Sequence, residues 1–450
     1  MKSVTRGSCP PPPATLFSTP RTLTFLSVVL VLIGYHANVF SGASAAREHA
    51  GEYSQEQNTK TGIVAVAAVF LGYCVAHGPN TSMVRPHPAV WRAVHGVLVL
   101  YALLLVYLVF QDVDDARAFM RHLHPSLGVE INYRTYASDC RLLVEKQPGG
   151  GLALNWQGIK STLLDEFVPA HLIGWWAKAL VLRNHFILWV ISIGFELLEL
   201  SLGHMLPNFN ECWYDSWVLD VAVCNLIGIT LGMATVRWMD CKYERYNWQG
   251  LSELKGLGAK ARRSLAQLGP YTWDKFQWCQ FRSPKRFLQT LFIIVVGLAF
   301  ELNVFFLKYS LWIPPTNPLI TYRLVLWFLM ALPAVREWYE YMEGTEAAGA
   351  AAMKLGPFAW IAVATVCLET MISIKFGHGL YPRSCPRSVR LAWGIGGGVG
   401  AAGFLVWLAV DAWRRRRSSG GHRKEGWAME QDGEGHSNEK CCSPSGGGAQ

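Results

Sequence analysis

The chain has 450 residues, 51% of them hydrophobic and only 16% charged, with a mean hydropathy of +0.19. Soluble proteins carry about 25% charge, so this composition excludes an ordinary soluble enzyme and describes a polytopic membrane protein. The formal net charge of +9 fits basic loops on one side of a bilayer, and no nucleic-acid-binding module accompanies it.

Residues 1–21 are Pro-rich and basic, and read as a disordered cytosolic start. The apolar run 22–40 is long for a signal-peptide core and lacks a convincing cleavage site, so it is expected to be the first span. Further spans are expected near 62–78, 89–110, 163–182, 185–205, 216–235, 287–309, 319–337, 357–376 and 391–412. The fold expected is therefore all-α and polytopic, with about ten transmembrane helices forming one multi-span domain over 22–412. The fourth span is the least apolar, because it carries His171 and Lys178. Residues 413–450, rich in Gly, Ser and charge, read as a disordered cytosolic tail.

Loop charge sets the orientation, since Lys and Arg accumulate on the cytosolic side. The loop 237–286 holds eleven bases against four acids, and the tail opens on Arg414, Arg415, Arg416 and Arg417. With ten spans, both termini and this loop are cytosolic, while 111–162 and 206–215 face the lumen. The bases of the loop 377–390 (Arg383, Arg387 and Arg390) argue the other way. The eleven cysteines include no CxxC pair, which argues against a zinc site or a disulfide framework. Cys140, Cys212 and Cys385 fall on the luminal side, where a disulfide is permitted but not implied.

The chain is organised around FELLELSLGHMLPNFNECWYDSWVLDVAVCN, residues 195–225. Two apolar segments there flank a short connector, and into this setting the chain places Glu196, Glu199, Asn208, Asn210, Glu211, Asp215, Asp220 and Asn225, with no Lys or Arg among them. Acids in or beside spans are costly and usually face a cavity where they bind something. An oxygen-loving cation such as Ca2+ would relieve their mutual repulsion, which makes Glu196, Glu199, Glu211, Asp215 and Asp220 the candidate metal ligands. The 3.6-residue period puts Glu196 and Glu199 on one face. The same period sets Asp220 about 140° from Asp215, so one α-helix is not expected to aim both at one ion.

His171, near the luminal mouth of its span, is the candidate general base, because its pKa lies close to working pH. Lys178 shares its face seven residues on and could hold a lipid phosphate or reach for the interface. Glu301 and Glu369 lie within later spans, where pairing with Arg323 or Arg336 is the structural reading. Glu369 lies nearer the level of the acid cluster and is kept as a substrate contact. Arg92, at a cytosolic edge, is expected to be structural or regulatory. The phosphate loop GxxxxGK[ST], HExxH and GxSxG are absent, as is the DGxxAR…GxxxDxxxD signature of CDP-alcohol phosphotransferases.

These blocks resemble the eukaryotic, base-exchange type of phosphatidylserine synthase. The resemblance rests on HPAVWR (87–92), QDVDDARAFMRHLHPSLGV (111–129), AHLIGWWAKALVLR (170–183) and the 195–225 stretch. ELNVFFLKYSLWIPPTNP (301–318), AVREWYEYM (334–342) and IKFG (374–377) extend it. It implies a multi-pass enzyme of the endoplasmic reticulum membrane with its active site facing the lumen. There L-serine replaces the choline or ethanolamine of phosphatidylcholine or phosphatidylethanolamine with the help of Ca2+, and no CDP-diacylglycerol is used. The family's functional positions fall on His171, Glu196, Glu199, Asn208, Glu211, Asp215, Asp220 and Asn225, with Asn208 and Asn225 read as substrate contacts beside Lys178 and Glu369. Nucleic acid is not among the expected partners, and a homodimer is permitted. A calcium-coupled transporter or scramblase and a non-catalytic lipid-binding scaffold are the alternatives from other classes.

Overall fold

Hydrocarbon offers a backbone no hydrogen-bond partners, so a chain crossing it satisfies its own amides, and helices do this within one segment. Apart from isolated positions, the computed structural model describes residues 55–81, 87–131, 167–210, 212–245, 276–347, 354–380 and 385–425, with short pieces around 140–145 and 152–155. Its helices are α1 (Gln55–His77), α2 (Pro88–Val109), α3 (Val113–Leu123), α4 (Phe167–Leu182) and α5 (His185–Leu202). A π-helix (Asp215–Asn225) runs straight into α6 (Leu226–Arg245), followed by α7 (Pro284–Ser310), α8 (Pro318–Ala347), α9 (Pro357–Gly377) and α10 (Arg387–Glu425).

Among the described residues, eight helical segments are long and apolar enough to cross a membrane, and the π-helix and α6 together make one of them. The expected fourth span is α4, shorter than the rest with an apolar stretch of Val168–Leu182. Nine of the ten expected spans therefore correspond to described helices. The run 22–40 lies, but for isolated positions, outside the described residues. One feature departs from all-helical architecture: β1 (Leu143–Glu145) and β2 (Leu152–Leu154) pair antiparallel, Leu143 against Leu154, in the 111–162 segment. At the other end, α10 continues through the four arginines to Glu425, into the stretch expected to be unstructured.

Helix starts follow local chemistry. Proline occupies the first turn of α2, α7 and α9, where its missing N–H costs nothing. Asn184 caps α5 by accepting from the Ile187 amide at 3.0 Å, and Ser283 caps α7 through the Arg286 amide at 3.2 Å.

Packing is tightest where α6 meets α4. A Cβ on Gly228 would lie 2.7 Å from the Leu172 carbonyl oxygen, and one on Gly232 would lie 2.4 Å from Ala179 Cβ. Two glycines four apart let the backbones approach closely, as small residues do between membrane helices. Trp175, Ala179, Ile187, Ile191, Ile229 and Trp278 form the buried core around that seam. A second core joins α2, α8 and α9 through Trp91, Leu98, Met330 and Phe358. By contrast, α10 buries none of its spanning stretch; it touches the rest through Trp393, whose indole donates to Ser201 Oγ at 2.8 Å, and through Phe404 and Trp407 against Phe287.

Arg92 ties α2 to the end of α1. Its Nε and Nη2 donate to Asn80 Oδ1 at 3.1 and 2.7 Å, and Nη1 reaches the Val75 and Ala76 carbonyls at 3.2 and 3.3 Å. Lysine cannot reproduce that planar fork. Arg92→Lys is therefore expected to lower the thermal unfolding midpoint while leaving turnover per folded molecule unchanged. Loss of all turnover at normal protein level would overturn the structural reading. Lys375, at the edge of the basic loop 377–390, donates to the Val109 and Gln111 carbonyls and so caps the end of α2.

Candidate active site

The 195–225 stretch folds as the end of α5, a tight turn and the π-helix. Pro207–Phe209 makes one 3-10 turn, and Asn210 Nδ2 donates to the Gly203 carbonyl at 2.8 Å, closing the connector on itself. Asn210 is thus a turn residue. Phe209 packs at a tilt against Phe305 of α7 (5.1 Å between centroids), and Cys212 is disulfide-bonded to Cys140, which tethers the connector to the segment before β1.

Asp215 and Asp220 correct the sequence expectation. Between Asp215 and Asn225 the backbone is π-helical, bonded from i to i+5, so residues five apart lie closer round the axis than in an α-helix. This brings Asp215 and Asp220 toward one side, whereas an α-helix would have set Asp220 about 140° away. Asp215 is within electrostatic reach of Asp220. On α5 the facing row is Ser192, Glu196 and Glu199, spaced for one side of an α-helix. Ser192 and Glu196 are 0% and 2% exposed, and Glu199 is half-buried.

The two rows join where Asn225 Nδ2 donates to Ser192 Oγ at 2.7 Å. From α4, His171 completes the group, with Nδ1 3.8 Å from Asp220 Oδ1. His171, Glu196, Glu199, Asp215, Asp220 and Asn225 therefore come from three consecutive membrane elements and lie toward their connector ends. Glu211 and the side chain of Asn208 lie outside the described residues; the Asn208 backbone is in the 3-10 turn.

Lys178 has a definite partner, Glu301 Oε1 on α7 at 2.8 Å, and its ammonium lies 3.8 Å from the centroid of the Trp175 ring. Lys178 also remains within electrostatic reach of His171. Glu301 thus pairs with Lys178 rather than with the expected Arg323 or Arg336. Glu369 belongs to a different group. It is fully buried, its Oε1 and Oε2 accept from Arg323 at 3.0 and 2.6 Å, and the Tyr101 hydroxyl donates to Oε1 at 2.5 Å. Both its oxygens are engaged, so the geometry supplies the structural pairing with Arg323. Ser192 escaped the sequence reading, although its place four residues before Glu196 puts it on the acidic face.

Among the described residues, no three His, Cys, Asp or Glu side chains converge closely enough to hold a metal ion by themselves. The donor chemistry nonetheless suits a hard cation. Two neighbouring aspartates and the buried Asn225 Oδ1, which has no hydrogen-bond partner among the described residues, offer oxygen and nothing softer.

The phosphatidyl serine synthase family description matches residues 86–377 of this chain. A rice (Oryza sativa subsp. japonica) protein named CDP-diacylglycerol–serine O-phosphatidyltransferase 2 is 46% identical over 86% of this chain and 88% of its own. Its Arabidopsis thaliana counterpart, numbered 1, is 44% identical over 86% and 87%. Human phosphatidylserine synthase 2 is 37% identical over 87% of this chain and 76% of its own. The chain belongs to the phosphatidyl serine synthase family.

Proposed function

We propose that this protein makes phosphatidylserine by base exchange, replacing the choline or ethanolamine of a phospholipid with L-serine. The observation that carries this reading is His171 Nδ1 3.8 Å from Asp220 Oδ1, on a π-helix that also brings Asp215 within electrostatic reach of Asp220. His171 takes the proton from the serine hydroxyl, whose oxygen attacks the lipid phosphorus. A serine O–P bond forms, the P–O bond to the amino alcohol breaks, and the imidazolium returns the proton to the departing oxygen. One phosphodiester replaces another, so the exchange is close to thermoneutral and calls for no nucleotide-binding motif.

Glu196, Glu199, Glu211, Asp215, Asp220 and Asn225 are the residues that would hold Ca2+. When bound, the ion supplies neutralisation of charge on the phosphoryl oxygens. We assign Lys178 and Asn208 to substrate contact, and Glu369, engaged by Arg323 and Tyr101, to holding α8 and α9 together. The endoplasmic reticulum membrane is the proposed location, with the site toward the lumen because the loop 237–286 is strongly basic. The Cys140–Cys212 bond beside the site suits that oxidising side. Cys279 is disulfide-bonded too, in the basic loop, and there the charge of the loop decides.

The plant relatives' printed names favour a second reading, in which CDP-diacylglycerol is the donor and CMP departs. Against it stands the absent aspartate signature of the CDP-alcohol phosphotransferases. Microsomes carrying the protein, given labelled serine with phosphatidylcholine, phosphatidylethanolamine or CDP-diacylglycerol separately, discriminate. Base exchange releases one free choline or ethanolamine per serine incorporated. Incorporation with CDP-diacylglycerol alone would overturn it, and movement of serine without covalent incorporation would indicate a transporter.

A further inference from the structure

We propose that Lys308 of α7 binds the carboxylate of L-serine, so that this amino acid is chosen over acceptors that lack one. The inference deepens the base-exchange reading and rests on it. The residues of α7 divide between two faces. Asn303, whose Nδ2 donates to the Val366 carbonyl at 3.2 Å, and Leu307, in the core with Ile372 and Phe376, face α9. On the other face, Leu298 lies 3.6 Å from where a Cβ on Gly194 would be, Glu301 holds Lys178 at 2.8 Å, and Phe305 packs against Phe195 and Phe209. Residues 298, 301 and 305 therefore look toward α4, α5 and the connector. The 3.6-residue period puts Lys308, half-buried in the last turn, on that same face.

The level of Lys308 follows from the Glu301–Lys178 pair. A Cβ on Gly297 would lie 3.9 Å from Ile191 Cδ1, and further along both helices Phe305 meets Phe195, so α5 and α7 run parallel. Two residues, Arg183 and Asn184, separate α4 from α5 in a helical hairpin, so α4 runs antiparallel to α7. Seven residues make two turns, a rise of about 10.5 Å on the same face. Counting seven from the pair toward the connector leads to His171 on α4 and to Lys308 on α7. The imidazole and the ammonium thus stand at one level on facing helices.

Free serine is a zwitterion, whereas choline and ethanolamine carry no carboxylate. The acids of α5 and the π-helix suit the ammonium of all three but repel a carboxylate. A lysine across from His171 reverses that for serine alone, and in holding the carboxylate it brings the hydroxyl toward the imidazole. A lysine ammonium has three donors, so a contact with one side chain of the site leaves others for the substrate. Lys178 lies two turns deeper, with its charge matched by Glu301.

The test uses microsomes carrying the full-length protein, with phosphatidylcholine and phosphatidylethanolamine vesicles as donors and labelled L-serine or labelled ethanolamine as acceptor. Ethanolamine exchange involves no carboxylate at any step. Lys308→Gln is expected to raise the KM for serine about tenfold or more with little change in kcat, and to move the KM for ethanolamine by less than about twofold. An unchanged KM for serine would overturn the proposal. So would an equal rise for both acceptors, since that marks Lys308 as a cation serving the C-terminal end of α7. In the unaltered protein L-serinamide, whose carboxylate is replaced by an amide, is expected to compete with serine about tenfold or more less effectively than serine itself. Equal competition would overturn the proposal whether or not Lys308→Gln accumulates. Failure of the base-exchange reading looks different: the unaltered protein then incorporates no ethanolamine from either donor.

Discussion

His171→Ala is expected to abolish serine incorporation while the protein accumulates and folds normally. The side chain is 31% exposed and meets Asp220 at 3.8 Å without a hydrogen bond, so removing it breaks no described hydrogen bond. What it removes is the imidazole beside Asp220, and a general base contributes about 10²–10⁴-fold. The measurement is labelled serine in lipid per unit of protein, with a thermal unfolding midpoint taken on the same sample. Retention of more than about a tenth of the normal rate would remove His171 from proton transfer. Normal rate with a lowered midpoint would make it a packing residue.

The sequence made the spans legible because each is a long apolar run, and hydropathy needs no knowledge of neighbours. It was weakest at α4, whose two polar residues dilute the signal. The fold resolves this, since Lys178 is matched by Glu301 and His171 faces Asp220. Pairings between distant helices stayed illegible: nothing in the chain says that Glu301 meets α4 while Glu369 meets Arg323. The acid cluster was visible as composition, but its geometry was misread, because a 3.6-residue period was applied to a π-helix. Ser192 gave less warning, since a lone serine in an apolar helix reads as a small packing residue.

Chelation is expected to stop exchange reversibly, with calcium restoring it far better than magnesium. The reason lies in how the donors are distributed. Glu196 and Glu199 come from α5, whereas Asp215, Asp220 and Asn225 come from the π-helix, and Glu211 belongs to the connector between them. A site split across two helices and a turn offers many oxygens in an irregular arrangement. Calcium accepts six to eight such ligands, while magnesium demands an octahedron and gives up its waters reluctantly. Glu199→Gln keeps the shape and removes one charge, so it is expected to raise the calcium needed for half-maximal rate by about tenfold or more, a divalent ion being sensitive to each unit charge in its shell. Asp115→Asn, on the exposed side of α3, is not expected to move it. Titrating calcium against rate in all three proteins measures this. Superimposable curves for the unaltered protein and Glu199→Gln would take Glu199 out of contact with the ion. Undiminished exchange in chelator would take calcium out of the reaction, leaving His171 and the π-helix face to act on the phosphodiester without it.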